Sequence, residues 1–428
     1  MRVLWFVNSS FPAMRKRMGI SDYNQHGWWM NILASALTTQ EDFSLGVVWA
    51  NSEVEWLEKF IENGIAYYCV PSGSKKEAVA RRLRSVPSLR KAWRVLSSLS
   101  KPDIAKELDL CIDVVEDFNP DIIHVHGTEH FYGLIAAHIS QPVVISLQGI
   151  LIPYVKVYWG NLPIARRLLL PQEIWQYWMM KQGARREKQI FANNFFFQGR
   201  TDWDRSETER LSPQRVYFSD GEIMREEFYS AEWSIESMEK HHIYITTSAH
   251  PYKGTNVLIE AFARVRERFP DARLNIGGPI PLNGVGGYLR KIVKKLGLED
   301  CVEFLGFLFA DKIVQELLRA HVFVLPSFIE NSTSSLAEAQ LVGTPCVAAA
   351  AGGVPSMVDD GRTGLLFPRG DVYALASSVE RIFTDDKLAV DLSRSARSAA
   401  AKRHDPRRIV NKQLSIYREV IRFHKEGI

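Results

Sequence analysis

Short apolar runs alternate with amphipathic stretches along the whole chain. In the first half, strand-like runs fall at 2–8, 43–50, 66–72, 122–127, 143–149 and 195–199, with helical patterns between them at, for example, 25–38 and 104–118. The second half repeats the alternation. Strands are predicted at 243–249, 272–278, 302–306, 321–327 and 345–349, and 256–268 reads as a helix with Val257, Leu258, Ala261, Phe262 and Val265 on one face. Strands alternating with helices imply parallel sheets covered on both faces, and six strands in the first half with five in the second favour two doubly wound domains over one very wide sheet. The join is expected near 219–222, giving domains at 1–219 and 220–405. A last amphipathic helix over 407–426 is free to pack on either one.

Composition adds limits. Of 428 residues, 46% are apolar and 24% charged, as in ordinary globular proteins. A formal charge of +4 is too mild to announce a nucleic-acid binder. Cys69, Cys111, Cys301 and Cys346 stand far apart with no C-x-x-C pair, which fits a reducing compartment and offers no zinc site. The chain starts directly on a strand-like run, and no stretch reaches about 18 uninterrupted apolar residues. The expectation is a cytoplasmic protein. Two local features stand out. Residues 75–101 carry nine Lys/Arg and one Glu, and 150–190 mix Trp, Tyr, Leu and Arg. Each reads either as ordinary helix surface or as a face that meets an anionic partner such as the inner face of a membrane.

Open α/β sheets bind ligands beyond the carboxyl ends of their strands, so loops after strands deserve the closest reading. After the strand at 321–327 come Glu330, Asn331, Ser332, Thr333, Ser334 and Ser335, then a helix holding Glu338. A helix opening in Ser/Thr presents unpaired amide N–H groups to phosphate or sugar oxygens. Two carboxylates with seven residues between them suit two sets of hydroxyls on one long ligand. The Gly352-Gly353 turn closes the next strand, where missing Cβ atoms let a ligand approach.

This segment resembles the donor site of glycosyltransferase family 4, retaining enzymes of the GT-B architecture, also grouped as glycosyl transferases group 1. The resemblance rests on Glu330, Glu338-Ala339, Gly343-Thr344-Pro345 and Gly352-Gly353, all in order, and extends to Asp360-Gly361, Gly364, Tyr252-Lys253-Gly254 and the 302–306 strand ending in Gly306. It implies a GT-B fold of two Rossmann-like domains facing across a cleft, with the last helix crossing back to the first. It also implies a nucleoside-diphosphate sugar as donor, with no cofactor and no metal. Glu330 would contact the transferred sugar, Glu338 the ribose, and Lys253 the diphosphate. Asn331, Ser332, Ser334 and Ser335 would line the donor pocket.

One family feature is missing. An Arg usually stands five positions before the Lys, and here that position is Ser248. His250, Arg200 and Arg225 are the candidate replacements, Arg200 being preferred over its alternative role as a surface ion pair with Asp202 or Asp204. On the other wall, the resemblance gives His126, which stands at the end of the strand-like run 122–127 and by position belongs to the loop, a contact to the donor sugar. It places Gly27 and Trp28 where the family has a Gly-Gly pair, and Gln148 where a further His is common. Trp28 would either stack on a sugar or pack in the core. The expected activity is transfer of a sugar from a UDP- or GDP-sugar to a saccharide or lipid-linked saccharide. An epimerase, a phosphorylase or a non-catalytic nucleotide-sugar-binding subunit are the rivals.

Overall fold

The computed structural model describes residues 1–19, 27–51, 54–72 and 104–427; the basic block at 75–101 and the start of the helix expected at 25–38 lie outside them. The first sheet holds β1 (Arg2–Val7), β2 (Ser44–Asn51), β3 (Glu58–Glu62), β4 (Ile65–Pro71), β5 (Ile122–His126), β6 (Val143–Ser146), β7 (Phe196–Gly199) and β8 (Val216–Ser219). Their spatial order is β3-β4-β2-β1-β5-β6-β7-β8. The second holds β9 (His242–Thr246), β10 (Arg273–Gly277), β11 (Val302–Gly306), β12 (Val322–Leu325), β13 (Cys346–Ala349) and β14 (Leu365–Phe367), ordered β11-β10-β9-β12-β13-β14. All pairings are parallel except β3 with β4. Continuous apolar strands such as Val3–Val7 are buried because helices cover both faces.

Three strands exceed the sequence expectation. β3 joins β4 through Asn63-Gly64, both at positive φ (51° and 76°), the Asn-Gly hairpin turn whose twist matches its flanking strands. β8 and β14 are short edge strands with little apolar pattern of their own.

Each sheet reverses its winding once. The chain leaves β1 through β2 and β4 on one side, then resumes beside β1 with β5 through β8. In the second sheet it leaves β9 through β10 and β11, then resumes beside β9 with β12. Loops leaving adjacent strands in opposite directions open a crevice at their carboxyl ends. The two crevices lie at β1/β5 and β9/β12.

The last helix, Pro406–Lys425, crosses back onto the first sheet. Its Ile409, Val410, Leu414, Ile416, Tyr417 and Val420 are buried with Val3, Trp5, Val7 and Leu33. At about 1.5–3 kcal/mol per buried large apolar side chain, this is a strong anchor. Trp5 Nε1 donates to Tyr417 Oη at 2.9 Å, and that hydroxyl lies 2.7 Å from His124 Nδ1. The two chain crossings are tied together, since His404 Nδ1 lies 2.7 Å from the Glu222 carbonyl. No helix among the described residues is long and apolar enough to cross a membrane.

Candidate active site

The crevice of the second sheet is built first by a glycine. The loop after β9 makes a short turn at Pro251–Lys253 and stops at Gly254, whose φ is 67°. A Cβ there would lie 2.1 Å from the Pro326 carbonyl in the loop after β12. Only glycine lets the two loops meet so closely, and their meeting brings Lys253 Nζ to 2.7 Å from Glu330 Oε1. Burial pulls the Lys253 ammonium down, and Glu330 more than offsets it, holding the group above its ordinary value.

The Gly352-Gly353 turn has a different role from the one its sequence suggested. Gly353 N donates to the Glu330 carbonyl at 2.8 Å, and a Cβ on Gly352 would sit 2.0 Å from that same oxygen. The missing side chains make room for the 330–331 backbone, which fixes where the Glu330 carboxylate points.

Helix Ser334–Val342 is buried from Leu336 onward. Thr333 sits at its N-cap without capping it by its side chain, which lies 3.1 Å from Ser335 Oγ. Ser332, Ser334 and Ser335 surround this opening turn, half-buried. One turn on, Glu338 Oε1 accepts from Arg225 Nη2 at 2.5 Å, the two side chains being 4% and 13% exposed. Burial pushes the Glu338 carboxyl up to about 7, against the pull of Arg225. The Arg225 guanidinium lies over the rings of Trp28 (5.1 Å) and Phe228 (4.8 Å). Trp28 therefore packs across the join onto a cation. Gly27, at φ 78°, starts its helix where a Cβ would strike Met30 and Ser9.

Other expected site residues sit differently. Asn331 is a clamp between domains: its Nδ2 donates to the carbonyls of Leu147 and Gln148 at 3.2 and 3.3 Å, and Thr201 Oγ1 donates to its Oδ1 at 2.8 Å. Arg200 does not replace the missing guanidinium in the Lys253–Glu330 pair. Its side chain turns into the first domain, 3.8 Å from Glu222 and over Trp29, and pairs with neither Asp202 nor Asp204; only its backbone N–H meets the Asp204 carboxylate. The guanidinium beside Glu338 belongs to Arg225. His250 stacks on Tyr252 and is pushed down to about 4 by burial and by Lys253, so it is neutral near pH 7. Gly306 ends β11 at φ 73° with open space where a Cβ would go.

His126 is the last residue of β5, not a loop residue, and it shares a face with His124 because side chains two apart in a strand point the same way. Its ring is buried against Trp5 and Trp29, beside a cavity with room for about one water molecule, lined also by Arg200 and Glu222. Burial, His124 and Arg200 hold it well below its ordinary value, so it is neutral, and both ring nitrogens lack a partner among the described residues. Gln148 follows β6, with its Nε2 also unpaired.

Sequence reading passed over two residues at the facing crevice. Glu129 lies beyond β5, where its Oε2 accepts from Asn8 Nδ2 at 3.2 Å and its Oε1 from Gly149 N at 3.1 Å. Burial pushes its carboxyl up. Tyr154 meets Tyr252 ring to ring at 5.6 Å, and burial and then Glu330 push its hydroxyl far up. The signal for Glu129 was its place three residues past a strand end; Tyr154 lay in a stretch whose aromatic content pointed elsewhere. Among the described residues no group of three or more His, Cys, Asp or Glu is arranged to hold a metal ion.

Residues 227–399 match the family model described as glycosyl transferases group 1. D-inositol 3-phosphate glycosyltransferase of Corynebacterium aurimucosum is 35% identical over 148 residues, 34% of this chain and 35% of that protein. N-acetyl-alpha-D-glucosaminyl L-malate synthase of Bacillus anthracis is 28% identical over 214 residues, 50% of this chain and 53% of its own length. The match thus spans a third to a half of these relatives. Over nearly the whole chain (98% of each), the fold is similar to sucrose-phosphate synthase of Thermosynechococcus elongatus, with TM-score 0.73 and 16% identity. It is also similar to Anabaena Alr3699/HepE solved with UDP, with TM-score 0.64, 16% identity and coverage of 97% and 98%. Two largely parallel sheets facing across Lys253, Glu330 and Glu338, with the last helix returning to the first, form a GT-B fold, and residues 227–399 within it are similar to the glycosyl transferases group 1 family.

Proposed function

We propose that the chain is a retaining, metal-independent glycosyltransferase of family 4 that moves a sugar from a UDP- or GDP-sugar to a hydroxyl of a saccharide or lipid-linked saccharide, at the cytoplasmic side of a membrane. The observation that carries this reading is the Lys253–Glu330 pair at the β9/β12 crevice, beside a helix opening whose amides Thr333 does not cap. The first-turn amides and Lys253 suit the diphosphate, and the Glu338 carboxylate suits the ribose hydroxyls.

In the reaction, the bond from the anomeric carbon to the diphosphate oxygen breaks, and its electron pair leaves with the phosphate. The acceptor oxygen bonds to the same carbon from the same face, and its proton passes to the departing phosphate oxygen. Negative charge builds beside Lys253 while positive charge builds near Glu330, a separation that fixed opposite charges favour in a water-poor crevice. Glu129 stands on the facing wall, in the loop beyond β5.

The test follows nucleotide release from UDP- and GDP-sugars, with and without saccharide and lipid-linked acceptors, in EDTA. Release that depends on an acceptor and yields a product of unchanged anomeric configuration supports the reading. Product without acceptor, dependence on inorganic phosphate, or binding without release in every mixture would replace it by epimerase, phosphorylase or binding subunit, in that order.

A pH dependence follows from Glu338. Its value in the fold, about 7, lies above the ordinary carboxyl value, so the carboxylate form is reached only as pH rises through 7. Nucleotide affinity should therefore strengthen about tenfold from pH 6 to pH 8, the ratio of ionised fractions across that interval. The same raised value makes this group's contribution to folding less favourable as pH climbs from about 4.5 to about 7. Calorimetric titration with UDP or GDP checks this, and Glu338→Gln should flatten the profile.

A further inference from the structure

We propose that the segment 150–193 docks this protein onto an anionic lipid surface. Among the described residues, fifteen large apolar side chains stand exposed, and seven of them fall between Ile164 and Met179. Ile164, Leu168 and Leu169 are 71%, 72% and 69% exposed, although a chain this size has ample core to hide them. On the helix Pro171–Asn193, Ile174, Trp175, Trp178 and Met179 follow the spacing that puts side chains on one face, and Lys181 and Arg185 continue that face.

Charge identifies the occupant. The segment carries seven Lys/Arg and two Glu. Both Glu are turned inward: Glu173 accepts from Tyr158 Oη at 2.8 Å, and Glu187 accepts from the N–H groups of Leu151 and Ile152 at 2.9 and 2.8 Å. Every charged side chain that this segment leaves exposed is therefore a cation: Lys156, Arg166, Lys181, Arg185 and Lys188. A second copy of this chain would bring the same cations against them, whereas an anionic bilayer offers headgroups for the cations and an acyl boundary for Leu and Trp.

The inner side of the segment is fastened to the donor domain. Leu162 and Leu170 join the core of the second sheet, Asn161 accepts from Asn256 at 2.8 Å, and Tyr154 and Tyr158 pack on Tyr252, next to Lys253. Docking through the outer side holds the crevice at a set position relative to the bilayer, as a lipid-linked acceptor requires. That last link rests on the proposed transferase activity; the docking does not.

The test is flotation of the full chain with vesicles of phosphatidylcholine alone and with vesicles holding about 30% phosphatidylglycerol, without any sugar nucleotide. The anionic vesicles should recover at least about tenfold more protein than the neutral ones. Trp175→Ser/Trp178→Ser and Leu168→Ser/Leu169→Ser should each cut that recovery about tenfold, and Lys181→Glu/Arg185→Glu should remove the preference for the anionic lipid. These side chains are exposed, so unchanged circular dichroism and UDP or GDP affinity serve as the folding control. Recovery untouched by the apolar substitutions overturns the proposal, as does a dimer in analytical ultracentrifugation that they dissociate. Failure to bind vesicles leaves acceptor-dependent nucleotide release intact, so the two readings fail separately.

Discussion

Replacing Glu330 by Gln lowers turnover by about a hundred- to a thousandfold while the donor KM moves less than about threefold. Glutamine keeps the volume and one hydrogen-bond acceptor for Lys253, so the crevice between β9 and β12 remains assembled. What it removes is a fixed negative charge near the carbon from which the diphosphate departs. A contact that strengthens only as charge develops acts on kcat and not on ground-state binding. Lys253→Ala should produce a loss of similar size but with weaker donor binding as well, because the diphosphate carries its charge before the reaction begins. Steady-state kinetics on both variants decide the matter. Wild-type turnover in Glu330→Gln would leave the proposed chemistry without its centre.

The second large effect concerns Glu338 and shows in two measurements. Glu338→Ala strands the Arg225 guanidinium beneath Trp28 with its charge largely desolvated. Removing one partner of a buried pair costs about 3–5 kcal/mol, and the residual exposure of Arg225 places this case at the lower end, near 3 kcal/mol. Nucleotide affinity should fall by about tenfold or more, since a hydrogen bond to a charged group is worth roughly 1.5–3 kcal/mol. The double variant Glu338→Leu/Arg225→Leu separates the roles. It should recover stability to within about 1–2 kcal/mol of wild type, because an apolar pair replaces a buried ion pair at little cost. It should not recover nucleotide binding. Urea unfolding and calorimetric titration measure both. Binding restored along with stability would make Glu338 a structural residue only.

The residues that meet at the β9/β12 crevice were legible in the chain, Glu330 and Glu338 from local geometry and Lys253 from the family resemblance. Glu330 and Glu338 flank a strand-to-helix turn within one short segment, and Gly254 and Gly352 mark backbone that no other residue can adopt at those contacts. The fold class was legible for the same reason, since alternation of strand and helix is a local pattern. Arg200 and Arg225 were not separable in this way. Both are arginines near the join, and which one reaches Glu338 depends on how the 220–225 segment leaves β8, a matter of packing. His126 looked like a loop residue because the end of β5 is set by its partners, Val7 and Ser146, rather than by its own sequence.

The amino-acid order by itself determined that two parallel sheets would form, that Glu330 and Lys253 would sit in loops after strands with Glu338 in the helix that follows, and that the final helix would carry an apolar face. Tertiary structure alone decided the strand order that sets β9 beside β12 and so makes a crevice of loops 77 residues apart. It also decided that Trp28 covers Arg225, that Asn331 clamps the domains, and that the two acids of the 150–193 segment turn inward. The physical reason is range. Backbone conformation and amphipathic periodicity are set by near neighbours, whereas strand order, charge partners and the facing of a surface are set by which distant groups exclude water together.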